Sequence, residues 1–532
     1  MQHKIYAYIS DGGVQEEISQ GVGRIAGTLG LNNLIMFYDS NEIQLSTECN
    51  VVDTEDVAMK YKAWGWSVIE IDGNDADEIR KALTVAQKEK ERPVLIIGHT
   101  VMAKGALQAD GSSYEHNVKT HGAPLGGDAF ANTIKHLGGD PENSFVIFPE
   151  VEKLYSDRRE ELRKIVAKRH EEEHKWAEEH ADKAALLKEW FSGKAPEVDW
   201  SGLEQKRDSA TRAASSACLS VLAEQVPNMI CASADLSNSD KTDGFLKKTH
   251  NIVRGDFSGA FFQAGVSELT MACMCIGMML HGGVITAMGT FFVFSDYMKP
   301  AIRMAALMRT PVKFIYSHDA FRVGEDGPTH QPVEHEAQIR LMEHLRNHHD
   351  ERSMLVLRPA DGDETVMAWK LAVEEHRPVA LVLSRQNIKT LPTLGAIRRE
   401  EAAQVAKGGY VVMDAAKPAA VLIATGSEVA TLVEGAELLA AEGIPVRVVN
   451  VPSEGLFRDQ PRSYQESVLP AGVARYGMTS GLPVNLRGLV GENGVIHGLD
   501  HFGWSAPYKV LDEKFGYNGA TVAAEVKKML GK

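Results

Sequence analysis

Between residues 258 and 297 a single carboxylate, Glu268, stands in a field of small and apolar residues (SGAFFQAGVSELTMACMCIGMMLHGGVITAMGTFFVFSDY). A carboxylate buried in such surroundings is disfavoured as an anion, so its pKa rises unless a partner compensates. Such an acid can share a proton with a ligand. Phe291, Phe294 and Tyr297 follow at intervals of three. On a helix they would lie along one face and wall a flat heterocycle. The plainer reading is a helix-start carboxylate with ordinary core aromatics.

Three more groupings have residue types suited to chemistry. Asp11 and Asn41 each follow a strand-like run, Ile5–Ile9 and Leu34–Tyr38. In a parallel α/β sheet the C-terminal strand ends form the ligand crevice, which would bring the two to neighbouring edges. With the backbone carbonyl of Ile43 they would make a hard, all-oxygen site for Mg²⁺ or Ca²⁺ holding a diphosphate. The alternative is two ordinary turns, since Asp, Asn and Gly favour turns. The densest polar loop, HDAFRVGEDGPTHQP over residues 318–332, follows the apolar run Val312–Tyr316. Its histidines, His318 and His330, and its acids, among them Asp326, suit acid/base or hydroxyl-binding work. Arg385 ends the run Ala380–Leu383 and suits charge-assisted capture of a phosphate, against the alternative of a surface ion pair. His121, in HGAPLG, is a lone loop histidine of the kind usually found at a surface. Thr425-Gly426-Ser427-Glu428 opens a helix and reads as a cap before it reads as an anion site.

Repeated strand–helix units must position these residues. Ile5–Ile9 reads as a buried strand, followed by a helix over about 15–29 and a strand at Leu34–Tyr38. Trp66–Ile71 and Val94–Ile97 are strand-like, with a helix near 75–90 between them. Residues 157–191 are dense in charge with sparse apolar positions, which predicts a solvated helical connector ending near Gly193-Lys194-Ala195-Pro196. A second α/β region has a helix at about 209–225, strands at Met229–Ala232, Val312–Tyr316, Met354–Leu357 and Ala380–Leu383, and a helix over Tyr297–Met308. Residues 391–409 lead to a third unit with strands at Ala420–Ala424 and Val446–Val449.

Composition excludes several classes. The 532 residues allow two to four domains, and 44% hydrophobic with 24% charged content is that of a globular chain. A net charge of -15 argues against a nucleic-acid partner. The apolar runs Leu269–Leu280 and Val284–Phe294 fall short of the roughly 20 residues that cross a bilayer, so no membrane partner is expected. Cys49, Cys218, Cys231, Cys273 and Cys275 are odd in number with no CxxC, which suggests neither a disulfide framework nor zinc. No signal peptide is visible, and a cytoplasmic location is expected.

Taken together, the residues resemble transketolase, the thiamine-diphosphate-dependent family, from about Ile5 to the C-terminus. The stretches that carry the likeness are GEDGPTHQP (324–332), HGAPLG (121–126), Arg303–Met308, Ser384-Arg385-Gln386-Asn387 and Ala424–Val429. The resemblance implies three parallel-sheet α/β domains: a diphosphate-binding domain with the charged connector (1–195), a pyrimidine-binding domain (196–395) and a C-terminal domain (396–532). It implies thiamine diphosphate with Mg²⁺ (or Ca²⁺), sugar phosphates as substrates, and a homodimer whose cofactor lies between the first domain of one subunit and the second of its partner. Asp11, Asn41 and the Ile43 carbonyl match the metal ligands, with Gly12 beside them. His121 matches a histidine near the diphosphate and thiazolium, and Asp235 an acid near the cofactor. Phe291, Phe294 and Tyr297 match the aminopyrimidine pocket.

Glu268 matches the glutamate that hydrogen-bonds the pyrimidine nitrogen and so favours the imino tautomer, which can deprotonate thiazolium C2. The implied reaction moves a two-carbon ketol unit from a ketose phosphate to an aldose phosphate through the resulting ylid, as in the pentose phosphate pathway. His330 and His121 would serve carbonyl, hydroxyl and proton transfers. Asp326 would hold an acceptor hydroxyl, while Arg212, Ser239, His318 and Arg385 would bind the sugar phosphate.

The chain also departs from the family pattern. Set against the resemblance, the family's opening strands, helices and histidine-bearing segment are expected to be missing from this chain. Ser10 precedes Asp11 where the family has glycine, Gly21 stands where a glutamate helps join the cofactor sites, and Ser267 stands where arginine is frequent. The expectation is that residues 1–532 alone bind the cofactor weakly and turn over slowly or not at all, with a separate N-terminal polypeptide as a partner. Two other readings stand beside this one: a related thiamine-diphosphate enzyme such as a deoxyxylulose-phosphate synthase, and a catalytically silent partner protein.

Overall fold

The computed structural model describes residues 3–532 and divides into two units. The first runs to Leu186 and includes Val253–Gly255. Its strands β1 (Ile5–Ser10), β2 (Leu34–Ser40), β3 (Ser67–Asp72) and β4 (Val94–His99) form a parallel sheet in the order β1-β2-β4-β3. Val94, Leu95 and Ile96 of β4 are wholly buried. A parallel strand covered on both faces needs apolar residues at successive positions, hence the unbroken run Val94–Ile97. The expected burial of Ile5–Ile9 is overturned. β1 is an edge strand paired with β2 alone, and Ile5, Tyr6 and Tyr8 are 44%, 53% and 68% exposed.

The helix expected over 15–29 is two helices, Asp11–Gln15 and Glu17–Leu29, separated at Glu16, whose ψ of 133° leaves the helical region. The second ends at Gly30, whose φ of 64° suits glycine. The charged connector is helical as expected: Pro149–Glu179 and Ala181–Phe191 contain no buried residue. Pairs such as Lys153–Asp157 at 2.9 Å lie along the solvated surface.

The second unit comprises Leu187–Ile252 and Asp256–Lys532 and holds two sheets. Strands β5 (Met229–Ser233), β6 (Phe261–Gln263), β7 (Ile285–Phe291), β8 (Lys313–Ser317), β9 (Leu355–Leu357) and β10 (Val379–Leu383) form a parallel sheet in the order β6-β5-β7-β8-β10-β9. The chain reverses its direction of travel between β5 and β7, the kind of switch point where open α/β sheets bind ligands. The third sheet contains β11 (Tyr410–Met413), β12 (Ala420–Ala424), β13 (Val446–Asn450), β14 (Ala474–Met478) and β15 (Val495–His497), in the order β11-β13-β12-β14-β15. It is parallel except for β11, which pairs antiparallel with β13. The fold is therefore three α/β domains. Among the described residues no helix is long and apolar enough to cross a membrane.

Candidate active site

The site residues divide between the two units, and each group is described within its own unit. In the first, Asp11 leads the helix after β1 and Asn41 follows β2, whose in-register pairing Ser10↔Asp39 brings the two turns together. Both side chains are nine-tenths or more buried. Asp11 Oδ1 accepts from the Tyr38 hydroxyl at 2.7 Å and Oδ2 from the Asn41 backbone N–H at 3.2 Å, while Asn41 Oδ1 accepts from the Ile43 N–H at 3.1 Å. Burial, then the Asp11 hydrogen bond, pushes the Tyr38 hydroxyl pKa upward, so the phenol stays a donor to the carboxylate.

Nothing lies within 4 Å of where a Gly12 Cβ would stand, which leaves the backbone there open to a ligand. Asp11 also lines a cavity of about 410 Å³ together with Glu42, Asp53, Glu55, Asp56 and Glu70. No lysine or arginine lines it, so an anion enters only with a cation. This donor set fits a hard divalent ion. His121, at the end of a short turn, is half-buried, and its Nδ1 is enclosed without a protein partner.

In the second unit the site residues gather at the C-terminal ends of β5, β7, β8 and β10. Glu268 is the first residue of the helix Glu268–His281 and is 8% exposed. Burial raises its pKa, its own backbone N–H opposes this only in part, and no other described residue hydrogen-bonds or pairs with its carboxyl. It is a protonatable acid facing no protein base. The helix behind it is the apolar run read from the sequence, with Met271, Ala272, Cys275 and Ile276 in the core.

The aromatics do not share one helix face as the spacing predicted. Phe291 is the last residue of β7, Phe294 lies in the turn that follows, and Tyr297 lies in the first turn of the helix Ser295–Leu307. Spacing by three is helical only where the chain is helical, and here a strand gives way to a helix. The rings still form a wall: Phe291 and Phe294 stack at 5.8 Å and 10°, and Phe294 approaches Tyr297 at 6.0 Å. His318 lies 3.7 Å from Phe291, and His330 meets Phe294 edge-on at 5.5 Å. Tyr297 is 62% exposed and closes only the outer end.

His318 is 2% exposed with a φ of 63°. Its Nε2 is 3.3 Å from Arg212 Nη1 and its Nδ1 is 2.9 Å from Ser317 Oγ. Burial first, then Arg212, Arg385 and His330, push its pKa down to about 2. Nε2 therefore accepts from the guanidinium and Nδ1–H donates to Ser317. His318 in this setting is a neutral acceptor for Arg212, where the loop's composition suggested acid/base or hydroxyl-binding work. Arg212 also donates from Nη1 to the Ser239 carbonyl at 2.5 Å, so Ser239 contributes backbone to the site. The turn is held by buried Asp240, which accepts from Ser233 Oγ at 2.8 Å and Thr242 Oγ1 at 2.7 Å.

Burial, then repulsion from Arg385, lowers the Arg212 pKa, and Asp240 opposes only weakly. Among the described residues no carboxylate forms an ion pair with either arginine. Two guanidiniums that repel one another without an anion between them make a phosphate-shaped demand. Asp235 (φ 63°) and Asp326 are exposed on their loops, and the structure places no partner on either.

Sequence reasoning missed the brace beneath the loop 318–332. Arg358, 1% exposed just past β9, holds Asp319 at 2.7 Å, Glu428 at 2.6 Å and Glu336 at 3.3 Å. Arg322 pairs with Glu428 at 3.2 Å and Asp512 at 2.6 Å. Burial works against the Glu428 charge, but Arg358 and Arg322 outweigh it and hold its pKa below the ordinary range. The turn 425–428 is accordingly neither cap nor anion site: Ser427 makes no capping bond, and Arg358 fills the space over Gly426. A visible signal existed, an arginine ending an apolar strand, which is the pattern that drew notice to Arg385.

Comparison with known proteins agrees with this geometry. Residues 1–196 match the family described as transketolase, thiamine diphosphate binding domain; residues 207–390 match transketolase, pyrimidine binding domain; residues 408–518 match the transketolase-like TK C-terminal domain. A transketolase of Geobacillus stearothermophilus is 39% identical over 547 residues, covering 100% of this chain and 78% of that protein. The solved transketolase from Leishmania mexicana superposes with a TM-score of 0.89 at 32% identity, covering 100% of this chain and 76% of that one. A transketolase from Pichia stipitis, solved in complex with sedoheptulose 7-phosphate, gives 0.88 at 31% identity with the same coverages.

Proposed function

The chain belongs to the transketolase family, and from that premise we propose that it transfers a two-carbon ketol unit from a ketose phosphate to an aldose phosphate as a cytoplasmic homodimer. The observation that carries the reading is the Arg212–His318–Arg385 group at the strand ends, two guanidiniums without a carboxylate partner, one of them, Arg212, held by a neutral imidazole. A phosphate placed there relieves their mutual repulsion and gains charge-assisted hydrogen bonds.

Asp11, Asn41 and the Ile43 carbonyl would hold Mg²⁺, and Gly12 leaves the backbone open for a diphosphate. Phe291 and Phe294 would pack on a pyrimidine, with Tyr297 at its outer end and Asp235 nearby. When bound, thiamine diphosphate supplies a carbon nucleophile and an electron sink for breaking and remaking a carbon–carbon bond. Burial disfavours the Glu268 anion, and its carboxyl would share a proton with a ring nitrogen. His330 and His121 exchange protons with substrate hydroxyl and carbonyl oxygens. Asp326 accepts from an acceptor hydroxyl.

The test is a transfer assay with a ketose phosphate donor and ribose 5-phosphate, against pyruvate as the donor, with Mg²⁺ and thiamine diphosphate added. The chain is assayed by itself and with the remaining segment of the Geobacillus relative supplied as a separate polypeptide. Ketol transfer to ribose 5-phosphate supports the reading; turnover of pyruvate alone overturns it.

A further inference from the structure

The sheet of β5–β10, which bears the second group of site residues at its C-terminal strand ends, also carries a cavity at the opposite ends of its strands. β8 ends at the candidate site in Ser317 and His318 and begins at Lys313, which is 2% exposed. Lys313 lines a cavity of about 200 Å³, with Phe191, Asn228, Gly283, Val373 and His376 among its other walls. Phe191 stands over the Gly282–Gly283 turn and is 55% exposed, so the rim reaches solvent. Lys313 Nζ donates one hydrogen bond, 3.1 Å to the carbonyl of Glu375. The Glu375 carboxylate is taken by Arg377, at 2.9 Å to Nε and 2.6 Å to Nη2. The remaining ionisable groups of the lining, Lys194 and His376, are exposed at the rim and add no negative charge. An ammonium there has three protons and one acceptor. Burial accordingly pushes its pKa down to about 7, with Glu375 opposing only weakly.

We propose that this cavity is a covalent capture site for small aldehydes, with Lys313 as the nucleophile. The neutral amine's lone pair attacks the aldehyde carbon, and the carbonyl oxygen takes a proton to give a carbinolamine. Loss of one water then leaves a reversible imine; nothing is oxidised or reduced. The apolar walls disfavour the charged amine and favour the neutral one that reacts.

The experiment incubates the full chain with glycolaldehyde and sodium cyanoborohydride, which reduces the imine to a stable hydroxyethyl-lysine, followed by peptide mapping. A pKa near 7 in place of the usual 10.5 gives roughly forty-fold faster labelling at pH 7 once the weaker nucleophilicity is discounted. With restricted access, at least tenfold faster labelling than the exposed Lys168 and Lys175 is expected. The Lys313 rate should halve near pH 7 and fall tenfold for each further unit of acidity. Lys313→Met, checked for folding by circular dichroism, should lose this adduct and leave Lys168 labelling unchanged. Labelling of Lys313 at or below the rate of Lys168 in the wild-type chain overturns the proposal.

Discussion

Replacing Arg358 with methionine tests how the polar loop is held. In the structure this guanidinium sits between three buried carboxylates. Glu428 keeps Arg322 and Glu336 keeps Arg340 (3.3 Å), but Asp319 keeps only the Ser427 hydroxyl at 3.1 Å. Removing one partner of a buried pair while leaving the other costs about 3–5 kcal/mol. The second unit has about 340 residues, so its unfolding entropy is roughly 0.7 kcal/mol per degree, and Tm should fall by about 4–7 °C.

The loss should depend on pH in a definite direction. Burial already raises the Asp319 pKa, with Arg358 opposing, and without Arg358 it rises further. A carboxyl whose folded pKa exceeds its unfolded one is penalised above the folded value and relieved as pH falls towards the unfolded value, about 3.9. The deficit should therefore be largest at pH 7.5 and smaller at pH 5. Calorimetry of Arg358→Met at both pH values measures it. A Tm shift under about 1 °C at pH 7.5, or a deficit that grows on acidification, would refute the reasoning.

Arg385→Lys replaces a planar fork by a point charge. It should raise KM for a phosphorylated ketose about tenfold and leave KM for the unphosphorylated sugar unchanged in steady-state kinetics. His318, with its pKa near 2, stays neutral in the fold while the unfolded chain takes a proton below about 6.5. Stability should thus fall by up to about 1.4 kcal/mol per pH unit below 6.5 from this group, and urea titrations of His318→Gln should lack that slope. Asp11→Asn weakens a hard-cation site, so Mg²⁺-dependent binding of thiamine diphosphate in calorimetry should drop at least tenfold, and chelation should produce the same loss in the parent chain.

Much of the fold was legible because parallel strands buried on both faces announce themselves. Val94–Ile97, Ala380–Leu383 and Ala420–Ala424 are unbroken apolar runs, and all three are central strands. Ile5–Ile9 misled for the converse reason. Its apolar character is that of a buried strand, but its place in the sheet order is a non-local fact that no local pattern encodes. Phe261–Gln263 was overlooked since three residues leave no period to detect.

Candidate residues were legible where polar groups sit at a strand end, and the structure keeps Asp11, Asn41 and Arg385 at such ends. The three rings do adjoin, but across a strand turning into a helix rather than along one helix face. What stayed hidden were roles set by long-range contacts. His318 reads as a titrating group until Arg212, over a hundred residues away, is placed beside it. Glu428 reads as a cap until Arg358 occupies the turn.

The most direct test of the account is kcat for Glu268→Gln, measured on whichever form turns over, the chain alone or with the separate segment, saturated with thiamine diphosphate and Mg²⁺, with cofactor affinity determined separately by calorimetry. Glutamine keeps the shape and removes the exchangeable acid, so ketol transfer should fall by about 10²–10⁴-fold while the fold is retained. A kcat equal to that of the parent chain would contradict the role assigned to this carboxyl.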